Sequence, residues 1–507
     1  LGLLHRVDRS IITLEDVCKS CYKPLLENVI ESEVKDLAIL SSDYIIKILH
    51  KDIMNNNSII QQIRELYLSS EPDRIRELVE NHFIPSRQEH LSNAEVPTPQ
   101  ELINEMMANQ IWGKFNITSK FWTQPKKCLE SCCGKGNFVL ALFDKFMKEL
   151  PDTMGLDEKC RIVIEDCLYF GDITPINVFI TQELLKCHAY MYCKKEATYK
   201  FNSFVGNSLE LSLQDEFGIE TVDLVIGNPP YHAPTGGVGS GNTIWQEFVK
   251  KSLNSWLKDD GLLCFVHPPP WRKPNSSRGR FNGYFKRMSH ENRLLFLSMS
   301  GLERGKRVFN CGTRFDWYII QRGAGDVSTL ISDDDNKEYT LDLKQFNWLP
   351  NSMVNEVELL IGSNDEERCN VIYSASAYEH RKPHMRHEKD DEFKYKCVHS
   401  TPQKGARYMW SNRNDKGHFG VKKIIFGEAG INEVIIDFDG EYGLTNGAIG
   451  IEIESREEGE LYKNFLESDN FKKIMKACSF SNYRVDRCVF NSFKKRFYTA
   501  ADTWHFE

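Results

Sequence analysis

The sequence predicts an α/β protein with a parallel central sheet, preceded by a helical N-terminal region and followed by a mixed α+β C-terminal domain. Three observations carry this. Between residues 86 and 328, short apolar runs alternate with amphipathic stretches of helical period, the pattern of a parallel sheet covered on both faces. Residues 1–85 show 3.6-like apolar spacing, as at 59–68 and 73–79, with many charges and almost no glycine. Residues 329–507 are mixed. An acidic join (Asp333, Asp334, Asp335) leads to strand-like runs at 422–426 and 433–438 and a helix-like segment at 458–478.

Within the middle segment the strand candidates are 128–130, 167–172, 204–207, 223–227 and 262–267. The helices between them include 138–150, 177–186 and 244–257. In such sheets ligands sit at the carboxyl ends of the strands. The unusual residues of this sequence fall there.

Bulk composition bounds the function. At 507 residues, with 41% hydrophobic and 27% charged residues, the chain has the make-up of a globular protein with two or three cores. No apolar run approaches the roughly 18 residues of a bilayer span, and the first six residues lack a signal-peptide layout, so an intracellular protein without membrane association is expected. The fifteen cysteines are scattered and read as reduced thiols. Cys18 and Cys21 form one CxxC pair without a second pair at zinc-ribbon spacing, so no metal is expected. The net charge of −8 weighs against a nucleic-acid partner, but cations are gathered beyond residue 270. Residues 271–287 hold Arg272, Lys273, Arg278, Arg280, Lys286 and Arg287 without a carboxylate, and smaller clusters lie at 304–307, 380–387 and 494–496. Any one cluster taken singly reads as a solvated face; together they point to a basic C-terminal half.

The strongest chemical signal is the strand 223–227 running into Asn228-Pro229-Pro230-Tyr231. The prolines fix φ and remove two backbone donors, which leaves carbonyls to face a cleft. An exocyclic aromatic amine needs acceptors for both N–H groups, because its lone pair is delocalised into the ring. The Asn228 side-chain oxygen and the Pro229 carbonyl can supply them, and Tyr231 offers a face for an extruded base. The plain alternative is a rigid turn at a strand end.

Weaker signals surround it. Glu130-Ser-Cys-Cys-Gly134-Lys-Gly136-Asn-Phe138 enters a helix, and its glycines allow close approach of a ligand to the backbone. The third glycine of the dinucleotide fingerprint is missing, so simple strand-turn-helix packing is an equal reading. Asp172-Ile173 ends the next strand before Pro175, where a carboxylate can accept two ribose hydroxyls or merely cap the helix. Asn207-Ser208 ends a third strand, where the amide can address an adenine edge. Thr98, between two prolines, either contacts a ligand carboxylate or begins the helix that runs to residue 107.

These motifs, in this order, resemble the N6-adenine-specific DNA methyltransferases of gamma-type motif order, an amino-methyltransferase family of restriction-modification systems. The resemblance covers residues 90–325 and extends less specifically to 422–427 and 442–447, which look like the core of a target-recognition domain. It implies a Rossmann-like S-adenosylmethionine (AdoMet)-dependent methyltransferase fold at 86–328 and a DNA-binding target-recognition domain at 329–507. It implies double-stranded DNA as partner, a cognate restriction endonuclease as a possible second one, and base flipping before transfer. Residue by residue, it implies that Thr98 contacts the methionine carboxylate and that Glu130, Gly134, Gly136 and Phe138 form the AdoMet loop. Asp172 and Ile173 then meet the ribose side and Asn207 and Ser208 the cofactor adenine, while Asn228 borders the cofactor and, with Pro229, Pro230 and Tyr231, handles the target base.

Two features depart from that pattern. Ser131-Cys132-Cys133 stands where the family usually has Pro-Ala-Cys, and the interval from Glu130 to Asp172 is long, implying an insertion near 150–165. A second stacking aromatic is expected at Phe315 or Trp317, and the glycine-rich 235–242 is either a closing loop or a connector. Residues 266–272 are expected to shape the cleft wall, with Arg272, Lys273, Arg278 and Arg280 reaching the DNA backbone. The competing functions are an RNA adenine methyltransferase, a protein-glutamine methyltransferase with the same tetrapeptide, and a non-catalytic specificity subunit.

Overall fold

The computed structural model describes residues 97–503, apart from 117, 234–242, 275–278, 363–364, 375–380 and 481–484. The expected N-terminal helices, the CxxC pair, the glycine-rich loop and Arg278 lie outside the described residues. The chain divides into two compact units, Leu1–Pro268 with Met288–Ile331 and Pro269–Arg287 with Ser332–Glu507.

The first unit is built on strands β1 (Cys128–Glu130), β2 (Leu168–Asp172), β3 (Asn202–Val205), β4 (Val222–Gly227), β5 (Leu257–His267), β6 (Arg293–Ser300), β7 (Phe315–Gln321) and β8 (Thr329–Ser332). Their order is β3-β2-β1-β4-β5-β7-β6-β8. β1 to β5 pair in parallel, and β7 runs antiparallel between β5 and β6. The helices that matter for the site are α1 (Gln100–Met106), α2 (Asn137–Glu149), α3 (Leu156–Ile162), α4 (Pro175–Cys193), α5 (Trp245–Lys251) and α6 (Leu302–Phe309). β1 and β2 are buried at every position, so their residues do not alternate but run apolar up to the carboxylates Glu130 and Asp172 at their ends. Phe143 and Phe146 of α2 and Leu184 of α4 join Phe170, Leu224 and Cys264 in one core.

The long interval after α2 is occupied by α3 and a π-helical turn, Val163–Cys167, that feeds straight into β2. The connections from β1 and β4 leave toward opposite sides of the sheet, since β1 is flanked by β2 and β4 by β5. That reversal opens a crevice beyond the carboxyl ends of β1 and β4.

The second unit contains β9 (Glu338–Leu341) and two four-stranded sheets. One has the order β10 (Val371–Tyr373), β17 (Ala448–Glu452), β14 (Lys423–Gly427), β15 (Gly430–Asp437). The other has the order β11 (Met385–Arg386), β13 (Arg407–Ser411), β12 (Tyr395–Ser400), β16 (Gly443–Leu444). The helical segment expected at 458–478 is two helices, α7 (Arg456–Glu467) and α8 (Asp469–Ala477). Ser468 divides them: it takes an extended conformation, and its hydroxyl caps α8 by accepting from Phe471 N at 3.1 Å. Tyr462, Phe465, Phe471 and Ile474 then pack on Ile424, Phe426 and Ile449.

Residues 269–287 belong to this second unit, and here one expectation is corrected. Arg272 is 1% exposed. Its guanidinium donates to Leu349 O at 3.1 Å, Pro350 O at 2.9 Å and Asn351 Oδ1 at 3.0 Å, and stacks over Phe480. A planar fork of donors satisfies a cluster of buried carbonyls that no apolar side chain could. Arg272 is therefore an interior clamp, and it does not reach a phosphate. Lys273 is paired with Asp486 at 2.8 Å, and Arg280 is exposed.

Candidate active site at the carboxyl edge of the sheet

Glu130, the last residue of β1, is 2% exposed. Its Oε1 accepts from Cys132 N at 3.2 Å, while Oε2 is buried without a hydrogen-bond partner. Burial pushes this carboxyl well above the usual carboxylate range, partly opposed by the Cys132 N–H. The opposing surface is Gly227 at the end of β4, with φ +150°, where a Cβ would stand 2.3 Å from both Glu130 oxygens. The apolar strand must end in glycine because a carboxylate occupies the side-chain space.

After Glu130 the backbone turns through Gly134 (φ +49°) and Gly136 (φ +89°). A Cβ on Gly136 would lie 2.8 Å from Thr181 Oγ1 on α4. No side chain caps the start of α2, so its first amides face the loop. Phe138 is 4% exposed and belongs to the core beneath the loop. The turn is tied to β2 twice, by Cys133 N to Gly171 O at 2.9 Å and Gly134 N to Asp172 Oδ2 at 2.9 Å.

Asp172 therefore orders the loop as well as ending β2. Its Oδ1 also accepts from Thr174 N at 2.8 Å and Asn177 Nδ2 at 3.2 Å, so it fastens the turn that enters α4 without capping the helix amides. Burial raises its pKa, and these donors lower it. The next side chain, Ile173, is 53% exposed, an isolated apolar surface beside the loop. At the end of β3, Asn207 is exposed: its Oδ1 accepts from Leu209 N and its Nδ2 donates to Glu210. Ser208 is buried, and its hydroxyl donates to Ser131 O, fastening this strand end to the loop after β1.

Asn228 and Thr98 meet across the crevice. Asn228 Nδ2 donates to Thr98 Oγ1 at 3.1 Å, and Thr98 O accepts from Asn137 Nδ2 at 3.0 Å at the first turn of α2. Thr98 is 5% exposed, and Pro99 occupies the N-cap of α1, so the Thr98 hydroxyl is not a helix cap. Tyr231 has its hydroxyl buried beside the Asn228 amide, and burial holds it protonated far above the usual tyrosine range. Ile244 N donates to Tyr231 O at 3.1 Å, and His232 bridges Thr243.

Sequence reasoning missed the residues that hold this arrangement. Glu105 on α1 accepts from Trp317 Nε1 at 2.8 Å and pairs with Arg304 of α6, which lies over the Phe315 ring. His267 at the end of β5 stacks on Trp245 (centroids 3.8 Å apart), with Nε2 2.8 Å from the Tyr318 hydroxyl. A second carboxylate on a short polar helix and a histidine closing an apolar strand were the only signals, and neither names a partner. Phe315 and Trp317, the two candidates for a second stacking ring, are both fully buried.

A β7 strand antiparallel between β5 and β6, with a glycine turn after β1, defines the fold of AdoMet-dependent methyltransferases. Residues 166–299 match the family model described as Eco57I restriction-modification methylase. The chain is 19% identical over 409 residues to the type II restriction enzyme and methyltransferase RM.Eco57I of Escherichia coli, a match covering 67% of this chain and 40% of that protein. The chain thus corresponds to well under half of this relative's length. Among solved structures, it resembles a nuclease-deletion mutant of the type ISP restriction-modification enzyme LlaGI in complex with a DNA substrate mimic (TM-score 0.49, 12% identity, 96% of this chain and 56% of that one). It also resembles the type IIL restriction-modification enzyme MmeI in complex with DNA (TM-score 0.47, 10% identity, 81% and 69%). No described helix is long and apolar enough to cross a membrane, and no group of three or more metal-ligating side chains occurs among the described residues.

Proposed function

We propose that this chain transfers a methyl group from AdoMet to the exocyclic N6 amine of an adenine in double-stranded DNA, on a base turned out of the duplex. The observation that carries the reading is the adjacency at the crevice: Asn228 directly follows Gly227, whose α-carbon lies against the Glu130 carboxylate of the glycine loop. An amide suited to a target amine and a loop suited to a cofactor meet at one point.

The residues fit the cofactor. Glu130 Oε2, buried and without a donor, suits a ligand N–H or O–H, and the uncapped start of α2 suits a carboxylate, with Thr98 close by. Asp172 suits ribose hydroxyls through its remaining acceptor capacity, and exposed Ile173 suits an apolar ring face, with Asn207 beyond it. When bound, AdoMet supplies an electrophilic methyl on a sulfonium centre.

The rest is done by the chain. With Nδ2 held by Thr98, the Asn228 amide has a fixed orientation in which Oδ1 accepts one N–H of the amine. The Pro229 carbonyl accepts the other. Two acceptors out of the ring plane draw the nitrogen toward tetrahedral geometry and turn its lone pair outward. Neither proline has an N–H to compete for those acceptors. Tyr231, held neutral, stacks on the base and does not serve as a base itself. The amine would take the methyl in line as the sulfonium–methyl bond breaks and a neutral thioether is left. The nitrogen, by then cationic, would give its proton to solvent, so positioning and exclusion of water supply the acceleration. In this reading the second unit recognises the target sequence, and a cognate endonuclease shares that target.

The test is nucleoside analysis of DNA incubated with the protein and labelled AdoMet. N6-methyladenine is expected, lost in Asn228→Ala while AdoMet affinity by calorimetry stays within a fewfold. Label on RNA or on protein glutamine instead, or no AdoMet binding at all, overturns the reading.

A further inference from the structure

Across β11, β13 and β12 the register places Arg386 opposite Trp410 and Trp410 opposite Lys396. Directly opposed residues share a face, so these three form a row. The other face is interior: Met385, Cys397 and Met409 pack together with Phe419. One pair further along the row's own face, Val398 and Tyr408 are covered, packing with Ile425 of the other sheet and with Leu444 of β16 in their own. The row is where this face emerges from cover, with Arg386 exposed and Trp410 and Lys396 half-buried.

Aromatic rings seat the cations. Lys396 Nζ lies 3.8 Å from the Tyr408 ring centre and 5.3 Å from that of Tyr442. Lys389 Nζ lies 5.3 Å from Trp410, and the Arg386 guanidinium 4.4 Å from Phe393. None of these three cations has a carboxylate at ion-pair distance among the described residues, whereas Arg413, Lys423, Lys495 and Arg496 of the same unit do. The nearby acids lie elsewhere. Glu388 and Asp391 are exposed in the turn between β11 and β12, Asp390 caps that turn, Glu392 accepts from Asn412, and Glu433 faces Tyr408. In a chain of net charge −8, three cations held on rings and left unneutralised are a local feature, not a reflection of a basic surface.

We propose that this face, with Arg386, Lys389, Lys396 and Trp410, docks the phosphate backbone of double-stranded DNA. The inference rests on reading the chain as a DNA methyltransferase and names where its second unit grips. A cation fixed over a ring keeps its N–H donors at the outer edge with little further freedom to lose, which suits phosphate oxygens. The rings already lie under cations, so they are not platforms for unstacked bases. That favours a duplex backbone over a single strand.

The experiment is duplex binding by fluorescence anisotropy across a salt series, with AdoMet present. It compares the wild-type chain, Arg386→Gln, Lys389→Gln, Lys396→Gln, their triple combination and, as a control on α8, Lys472→Gln. Each single change is expected to weaken binding roughly three- to tenfold and to reduce the log–log salt slope by about 0.9, equally on target and random duplexes. The control, the AdoMet affinity and the melting transition are expected to stay unchanged. A triple variant with wild-type affinity and slope overturns the docking face alone. A wild-type chain that binds AdoMet and no duplex overturns the underlying reading. A triple variant that keeps duplex binding and loses single-stranded RNA overturns the choice of partner.

Discussion

The Thr98 hydroxyl accepts the Asn228 amide N–H at 3.1 Å, joining residues 130 positions apart at the crevice between β1 and β4. Thr98 also reaches the first turn of α2 through its carbonyl, so one residue touches both halves of the proposed site. Its own position is set by α1, which Glu105 anchors to Trp317 and Arg304.

Thr98→Val keeps the shape and removes the acceptor. One lost neutral hydrogen bond corresponds to about 0.5–1.5 kcal/mol, or roughly a two- to thirteenfold loss if it acts in the transition state. The expected result is that loss in kcat, with AdoMet affinity by calorimetry nearly unchanged and Thr98→Ser close to wild type. A weakened AdoMet affinity with intact kcat would assign Thr98 to the cofactor carboxylate instead.

Gly227→Ala is expected to be severe for two reasons that act together. Its φ of +150° disfavours any L side chain, and the new methyl would meet the Glu130 carboxylate at 2.3 Å. A loss of roughly 2–4 kcal/mol is expected in calorimetric melting. Combined with Glu130→Ala, part of the loss is recovered, since only the steric share depends on the carboxylate. Strict additivity would show that the two residues do not oppose one another.

Much of the first unit was legible because its strands are buried on both faces, so apolar content alone marks β1, β2 and β4. The glycines of the loop and Asn228 were legible because backbone conformation and chemistry restrict residue choice there. Arg272 misled because an arginine in a carboxylate-free basic run looks the same whether it faces phosphate or buried carbonyls. Only tertiary structure supplies Leu349, Pro350 and Asn351 as its acceptors. Glu105 and His267 were hidden for the same reason, their partners lying 212 and 51 positions away. Likewise, nothing in the alternation of β12 and β13 distinguishes the face that packs on Phe419 from the one that carries cations.

Arg272→Met should accordingly act on stability. Removing the guanidinium leaves several buried acceptors without donors, a cost of roughly 2–4 kcal/mol. The expected signature is a lowered melting transition, with the salt slope of DNA binding unchanged in whatever fraction remains folded. A slope reduced by about 0.9 with normal melting would restore it as a phosphate contact.

Glu130 makes stability depend on pH with a sign that can be worked out. Its folded pKa is raised by burial, so between the ordinary carboxylate value of about 4.3 and the folded value the native state holds a proton that the unfolded state has lost. Stability then falls as pH rises through that window. Glu130→Gln removes the titration, so its melting temperature relative to wild type should climb as pH rises from about 4.3 and then level off. The same variant should bind AdoMet more weakly. A pH-independent difference in melting would mean that the carboxyl is not desolvated in solution.

Lys423 and Asp437 stand opposite one another on β14 and β15, 2.5 Å apart, with side chains 0% and 2% exposed. Burial lowers the lysine pKa while Asp437 raises it. Asp437 also accepts from Glu441 N and Tyr442 N, so its carboxylate organises the turn that leads to β16. Removing either partner strands the other charge, and Lys423→Met or Asp437→Leu alone should each cost about 3–5 kcal/mol. Removing both spares the desolvation of two ions, so the double variant should be more stable than either single one and lie within about 2 kcal/mol of the wild type, the residual loss coming from the turn amides. Equilibrium unfolding of the four proteins measures the cycle. If the double variant is as unstable as the sum of the singles, the pair is not coupled, and Asp437 acts only through the turn.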